Sequence, residues 1–215
     1  MSISSESSLP SIGVLGSGPV GQGIAELLSR ADYPVSLGTR SPDSAKLDRL
    51  PLQVRRTTFA QAAQADCVFL AVLHSASRDL VTSLEDDLKG KLLVDTDNAW
   101  LPGHAQAAGL NGSLTEGSWL AQLLPEVRVT RAFSHIDWDK LVPAATHQPD
   151  TWAVGYAADD PQAATQLETL IRAMRYLPYR VGGLAESAAV DVGGILWPGM
   201  YTPVDMHALL TAAAK

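Results

Sequence analysis

A glycine-rich turn near the start of the chain is the feature best suited to chemistry, because it can hold a phosphate group. It joins a short apolar segment to a segment with helical periodicity. The first glycine of such a turn permits the bend, the second lets a pyrophosphate approach the backbone, and the third lets the helix pack closely on the strand. The helix N-terminus adds free N–H groups and a partial positive charge. We therefore predict a dinucleotide site at six residues: Gly16, Ser17, Gly18, Pro19, Val20 and Gly21.

The segment about 20 residues further on indicates which dinucleotide is bound. NAD-binding proteins place an Asp or Glu there, to hold the ribose 2′-hydroxyl. This chain has Thr39, Arg40 and Ser41 and no carboxylate. A guanidinium offers a planar set of donors to a phosphate, and two hydroxyls complete the set. The pattern predicts NADP(H).

Two histidines follow predicted strands and are candidates for substrate-side chemistry. His135 is the candidate proton donor for a carbonyl or imine substrate, and His74 is the second candidate. Ser134, Trp100 and Trp197 are also placed on the substrate side, the tryptophans because their rings could stack on a flat partner. The remaining histidines show no metal-like spacing, so we expect no metal site.

Alternating strands and helices must position these residues. We predict strands at 11–15, 34–38, 52–57, 66–73, 91–95, 128–133, 151–156 and 176–181, and helices at 19–30, 59–64, 75–88, 117–124 and 161–175, with a further helix opening at Pro42. This alternation is typical of an α/β, Rossmann-type, doubly wound and mostly parallel sheet. We expect a disordered tail at 1–10, one NADP-binding domain at 11–191, and a C-terminal lid or dimer segment at 192–215.

Composition excludes several other classes of protein. The 215 residues include 16 Lys and Arg and carry a net charge of −7, which does not suit general nucleic-acid binding. Apolar runs fall short of the roughly 18 residues that a bilayer requires, and the first residues lack the pattern of a signal peptide. The single Cys67 cannot form an internal disulfide. We expect a soluble, cytoplasmic protein with no nucleic-acid or membrane partner.

Six stretches of the sequence resemble the deazaflavin-dependent NADP oxidoreductase family. They are 12–21, 35–40, 66–72, 91–98, 129–134, and 183–187 together with Asp191. The same fold unit occurs in pyrroline-5-carboxylate reductases and in the reductase domains of membrane metalloreductases. The resemblance implies that Ala71, Val72, Leu73 and Asn98 border the nicotinamide. The chain departs from the family pattern after its fourth strand, after Asn98 and at Ser134, all at strand ends where an acceptor would lie.

The resemblance implies hydride transfer between NADP(H) and a deazaflavin or flavin-like co-substrate, a reaction that needs few catalytic side chains. Two alternatives stay open. One is a reductase of a small carbonyl or imine compound that uses His135, and the other is a non-catalytic module that senses NADP(H). Because no second domain closes the cleft, we also expect a homodimer.

Overall fold

A computed structural model describes residues 9–98 and 114–213 and contains one eight-stranded sheet. Its strands are β1 (Ile12–Leu15), β2 (Val35–Gly38), β3 (Arg55–Thr57), β4 (Cys67–Leu70), β5 (Leu92–Asp95), β6 (Arg128–Ala132), β7 (Ala153–Ala158) and β8 (Leu177–Gly182). Their order is β3-β2-β1-β4-β5-β6-β7-β8, and only the β6–β7 pair is antiparallel in this sheet. The first six strands have the order of a Rossmann sheet. The predicted fold class is confirmed.

The helices cover both faces of the sheet. They are α1 (Pro19–Arg30), α2 (Phe59–Ala62), α3 (His74–Ser83), α4 (Glu85–Leu88), α5 (Glu116–Leu123), α6 (Trp138–His147), α7 (Pro161–Ala173) and α8 (Pro203–Ala213), with 3-10 helices at Ala45–Leu47 and Leu184–Ala189. One buried cluster packs helices α1, α6 and α7 against one face of the sheet. A second buried cluster packs helices α2, α3, α4 and α5 against the other face. Strands β1, β4 and β5 are therefore buried throughout, as expected for parallel strands between two helical layers.

Four helical regions differ from the predictions. The single helix predicted at 75–88 is two helices, α3 and α4, because the backbone leaves the helical conformation at Leu84, with φ −112° and ψ 9°. The helix expected to open at Pro42 is only the 3-10 turn Ala45–Leu47, because Ser44, rather than Ser41, caps the segment by accepting a hydrogen bond from the Lys46 amide. Helix α6 was not predicted, since Pro143 lies inside it and obscures the pattern. Helix α8 was also not predicted, because its own apolar residues are spread around the helix instead of lying on one face.

The C-terminal segment packs beside β7 and β8. Tyr201 forms an isolated bridge with Ala153, and Leu196 and Met206 are fully buried in a small third cluster. Within the described ranges, none of the helices has both the length and the apolar character needed to cross a bilayer.

Parallel pairing places the carboxyl ends of β2, β1, β4, β5 and β6 side by side along one edge of the sheet. In open α/β sheets, ligands bind outside this edge. Four inter-strand steps of about 4.8 Å separate β2 from β6, so the edge is about 19 Å wide. An extended dinucleotide has a length of that order.

Candidate functional site

A cleft of about 1440 Å³ runs along the carboxyl edge of the sheet. Each of the five strands contributes residues from the loop that follows it. These include Gly16 after β1, Thr39 after β2, Ala71 after β4, Thr96 after β5 and Ser134 after β6. The cleft therefore crosses the sheet from β2 to β6.

The predicted phosphate-binding turn lies at the centre of this cleft. Gly16 has φ +130°, and a Cβ there would lie 2.1 Å from the Ala71 carbonyl oxygen. A Cβ on Gly21 would lie 2.1 Å from the Gly16 carbonyl oxygen. Around Gly18, in contrast, a Cβ would find no described atom within 4 Å, and this residue caps α1 without a side-chain hydrogen bond. The turn is thus tightly packed at its two outer glycines and open at the middle one.

One end of the cleft carries the residues predicted to bind a 2′-phosphate. Arg40 and Ser41 are exposed and line the cleft, and Thr39 Oγ1 lies 3.0 Å from Ser17 Oγ. Two further cations, Lys46 and Arg49, line this end of the cleft and were not predicted. Both belong to the irregular segment around the 3-10 turn, which has no recognisable motif.

The other end of the cleft contains most of the residues predicted for the nicotinamide and substrate sides. They are Ala71, Val72, Leu73, Asn98, Ser134 and Trp197. The Asn98 amide donates a hydrogen bond to the Ser134 carbonyl oxygen at 2.8 Å, which joins the loops after β5 and β6. Trp138, which is 61% exposed, and Asp97 also line this end and were not predicted. Trp100 lies outside the described residues.

The structure contradicts the prediction that His135 donates a proton to a substrate. The side chain is fully buried and does not line the cleft. Its Nδ1 donates to the Gly199 carbonyl oxygen at 3.0 Å, and its Nε2 accepts from the Gly155 amide at 3.0 Å. His135 therefore joins the C-terminal segment to β7, and a strand-end position in the sequence could not distinguish these two roles.

His135 should make the fold sensitive to acid. Burial lowers the pKa of His135 to about 4, so between pH 6.5 and pH 4 the unfolded chain binds a proton that the folded chain does not. Each pKa unit corresponds to about 1.4 kcal/mol, so this residue should remove about 3 kcal/mol of stability between pH 7 and pH 4. Urea unfolding at several pH values measures the effect. A His135→Gln variant should lose less stability on acidification, and equal losses in both proteins would contradict the assignment.

His74 also differs from its predicted position. It does not line the cleft, and its side chain is only 3% exposed. His74 Nδ1 lies 3.2 Å from Asp97 Oδ1, and Ser77 donates a hydrogen bond to the other Asp97 oxygen. The hydrogen bond with Asp97 is the largest cause that raises the pKa of His74. His74 thus lies behind the wall of the cleft, in contact with Asp97, a residue that lines the cleft.

Asp97 and His74 belong to a larger group that we call the buried charge cluster. It consists of His74, Asp95, Asp97, Glu116, Arg131 and Asp191. Arg131 is fully buried and pairs with Asp95 at 2.7 Å, Asp191 at 2.5 Å and Glu116 at 3.2 Å. Burial raises the pKa of Asp95 well above its usual range.

Three residues of the cluster are spaced as the ligands of a metal ion could be. Ligand atoms of His74, Asp97 and Glu116 lie within 4.8 Å of one another. The Arg131 guanidinium already supplies positive charge beside Glu116, and hydrogen bonds account for the contacts of Asp97. We therefore assign the group as a network of ion pairs and hydrogen bonds.

The strand order, the glycine turn and the edge cleft together define a Rossmann-type α/β protein. Residues 11–99 match the family model described as NADP oxidoreductase coenzyme F420-dependent. These 89 residues are less than half of the 215-residue chain, and over them the predicted resemblance to this family is confirmed.

Curated relatives include two metalloreductases. STEAP3 of Rattus norvegicus is 28% identical over 184 residues, which cover 85% of this chain and 36% of the relative. STEAP2 of Homo sapiens is 23% identical over 182 residues, which cover 84% of this chain and 35% of the relative. The chain thus spans about a third of the length of these relatives.

Solved structures with the same fold match nearly the whole chain. A hypothetical protein, SMa0349 of Sinorhizobium meliloti, has a TM-score of 0.80 and 25% identity, over 90% of this chain and 96% of that one. A protein of Arthrobacter sp. FB24 assigned as an F420-dependent NADP-reductase has a TM-score of 0.70 and 22% identity, over 87% and 90% of the two chains.

Proposed function

We propose that the protein is an NADPH-dependent oxidoreductase that transfers hydride between NADP(H) and a deazaflavin or flavin-like acceptor. The observation that carries this proposal is the cleft, which joins a cationic end at Arg40 to an open helix N-terminus at Gly18. The adenosine 2′-phosphate binds at the first, the pyrophosphate at the second, and the nicotinamide lies beside Ala71, Val72 and Asn98.

Electrostatics supports the phosphorylated dinucleotide. Arg40, Lys46 and Arg49 line the end of the cleft beside Thr39, while the sequence there offers no carboxylate at the ribose position. Charge-assisted hydrogen bonds from a guanidinium to a phosphate are among the stronger polar contacts in proteins. Arg49 Nε also donates to Gln22 Oε1 at 3.2 Å, which directs this side chain towards the start of α1.

The acceptor end supports a flat ring as co-substrate. The exposed ring of Trp138 and the ring of Trp197 line it together with Ile136. Aromatic side chains stack on planar ligands, and hydride transfer between two rings requires mainly distance, orientation and exclusion of water. The burial of His135 removes the side chain that a carbonyl or imine reductase was expected to use.

Replacing Arg40 with alanine tests the choice of dinucleotide. The Arg40→Ala variant should bind NADPH about 1.5 to 3 kcal/mol more weakly, because it loses a hydrogen bond between charged groups. NADH binding should hardly change. Titration calorimetry with both dinucleotides measures the difference. Arg55→Ala is the matched control, since Arg55 is exposed on the neighbouring strand β3 and does not line the cleft. Equal weakening of both dinucleotides would contradict the assignment.

A panel of acceptors tests the reaction itself. Purified protein is mixed with NADPH and FMN, FAD, an 8-hydroxy-5-deazaflavin or small carbonyl compounds, and oxidation is followed at the nicotinamide absorbance band. Turnover with ring acceptors alone is the expected result. Turnover with carbonyl compounds alone would replace the proposal with the second enzyme, and tight NADPH binding without oxidation would identify a sensor.

We further propose a cytoplasmic homodimer in which the segment 192–215 contributes to the interface or covers the cleft. The support is the apolar surface of α8, where Val204 is 77% exposed and only Met206 is buried. Sedimentation at micromolar concentration should give twice the mass of one chain, and a single-chain mass would contradict the dimer.

A further inference from the structure

The buried charge cluster lies beneath the acceptor end of the cleft, and of its six residues only Asp97 lines the cleft. Four carboxylates face one guanidinium, Arg131, and one imidazole, His74. Such an excess of negative charge away from water is costly unless the group holds protons. Burial accordingly raises the pKa of Asp95 well above its usual range. The cluster lies beside the proposed site of hydride transfer.

Asp97 connects this cluster to the cleft. Asp97 lines the cleft on one side. On the other side, Oδ1 of Asp97 accepts a hydrogen bond from Nδ1 of His74 at 3.2 Å. Arg131 pairs with the other three carboxylates, while Asp97 is held by His74 and Ser77. His74 Nε2, on the far side of the ring, has no hydrogen-bond partner among the described residues. This Nε2 atom is buried, so proton exchange at the imidazole takes place at Nδ1, through Asp97.

We propose that Asp97 and His74 form a proton relay that protonates the acceptor as it receives hydride. The proposal rests on the proposed function, because it concerns the second half of the same reduction. Asp97 is the catalytic residue, since it is the member of the buried charge cluster that lines the cleft. His74 is a positioning residue that acts through Asp97 and replaces its proton.

The relay balances the reaction. NADPH, the oxidised acceptor and one proton give NADP⁺ and the reduced acceptor, so the hydride supplies two electrons and the protein supplies the proton. The His74 Nδ1–H bond breaks as an O–H bond forms on Asp97. That O–H bond then breaks as the proton moves to a ring heteroatom of the acceptor. After the product leaves, Asp97 takes up a proton from solvent in the open cleft and passes it to Nδ1 of the neutral His74.

The charges around His74 raise the pKa of the imidazole and so favour its protonated form. Asp95 and Asp97 face it from the end of β5 and Glu116 from α5, and all three raise the pKa of His74 while burial lowers it. Two cations lie nearby: Arg131, which is already paired with three carboxylates, and Arg78, which stacks 5.2 Å from the centre of the Trp119 ring that packs on His74. The N-terminus of α3 also disfavours a cation at His74, but the carboxylates outweigh it.

The test compares pH profiles of NADPH oxidation with FMN and the deazaflavin. Wild-type kcat should fall as pH rises through the pKa of His74, above pH 6.5. His74→Gln keeps a hydrogen-bond donor but cannot relay a proton, so its kcat at pH 7 should be about 100-fold lower and independent of pH there. The Kd for NADPH should be unchanged. Asp97→Asn should give the same loss. Ser83→Ala is the control on the same helix α3, where the Ser83 hydroxyl is exposed and bonds to the Leu80 carbonyl oxygen, and it should retain the wild-type pH dependence.

A direct titration of the wild-type protein removes any reliance on variants that fold poorly. Imidazole NMR signals should give a pKa above 6.5 for His74, and a value below 6.5 would overturn the relay. A His74→Gln enzyme with wild-type kcat and pH profile would overturn it as well. If the wild-type protein oxidises NADPH with none of the acceptors, the proposed function fails, and the relay fails with it. The two failures are therefore distinguishable.

Discussion

Replacing Arg131 with alanine should destabilise the protein by about 3 to 5 kcal/mol at pH 7.5. The side chain is fully buried and neutralises Asp95, Glu116 and Asp191. Removing one partner of a buried ion pair leaves uncompensated charge in a medium of low polarity, and the cost is of that size. The loss should also separate the strand ends of β5 and β6, which Arg131 joins. Urea unfolding followed by tryptophan fluorescence measures the change.

The pH dependence of the Arg131→Ala variant separates lost charge from lost packing. Without Arg131 the carboxylates take up protons on folding, so the folded state binds more protons than the unfolded chain and stability falls as pH rises. The deficit relative to wild type should therefore be smaller at pH 5 than at pH 7.5. Arg128→Ala is the control on the same strand, and should cost less than about 1 kcal/mol because its bond to the Gly90 carbonyl oxygen is exposed. A deficit that does not vary with pH would mean that packing, not charge, explains the loss.

The positions of the glycine turn and of the cationic segment in the cleft could be predicted because the information is local. Three glycines, a helix and the segment at Thr39 to Ser41 lie within 26 residues, from 16 to 41, and each follows a strand that periodicity reveals. Once the strand order is that of a Rossmann sheet, the positions of Ala71, Asn98 and Ser134 at the same edge follow from parallel pairing. The glycine spacing and the strand pattern were therefore enough to predict most of the residue positions in this part of the cleft.

The acceptor half could not be predicted because its contacts join distant segments. Arg131 meets Asp191 across 60 residues, and His74 meets Asp97 across 23. No spacing rule distinguishes a histidine that faces a cleft from one that faces a carboxylate behind it, or from one such as His135 that links two backbone segments. Charge and polarity at strand ends identify candidates, and only packing decides which of them reach the ligand.

The outer and middle glycines of the turn should respond in opposite ways to the same substitution. Gly18→Ala meets no described atom within 4 Å, and Gly18 has φ −72°, which alanine adopts readily. Its stability should stay within about 1 kcal/mol of wild type. The added methyl group would occupy the approach of the pyrophosphate to the backbone, so NADPH affinity should fall at least about tenfold. Gly16→Ala, in contrast, combines φ +130° with a Cβ 2.1 Å from a backbone oxygen and should cost about 3 to 5 kcal/mol.

The comparison separates binding from folding because both glycines lie in the same turn. Calorimetric NADPH titrations and urea unfolding are measured on each variant, with Gly90→Ala as the control. Gly90 has φ +69° and open space around it, far from the cleft lining, so alanine there should cost about 1 kcal/mol of stability and leave NADPH affinity unchanged. If Gly18→Ala bound NADPH as tightly as wild type, the pyrophosphate could not lie against this turn. The cleft would then hold its ligand in another way, and the proposed NADPH site would lose its physical basis.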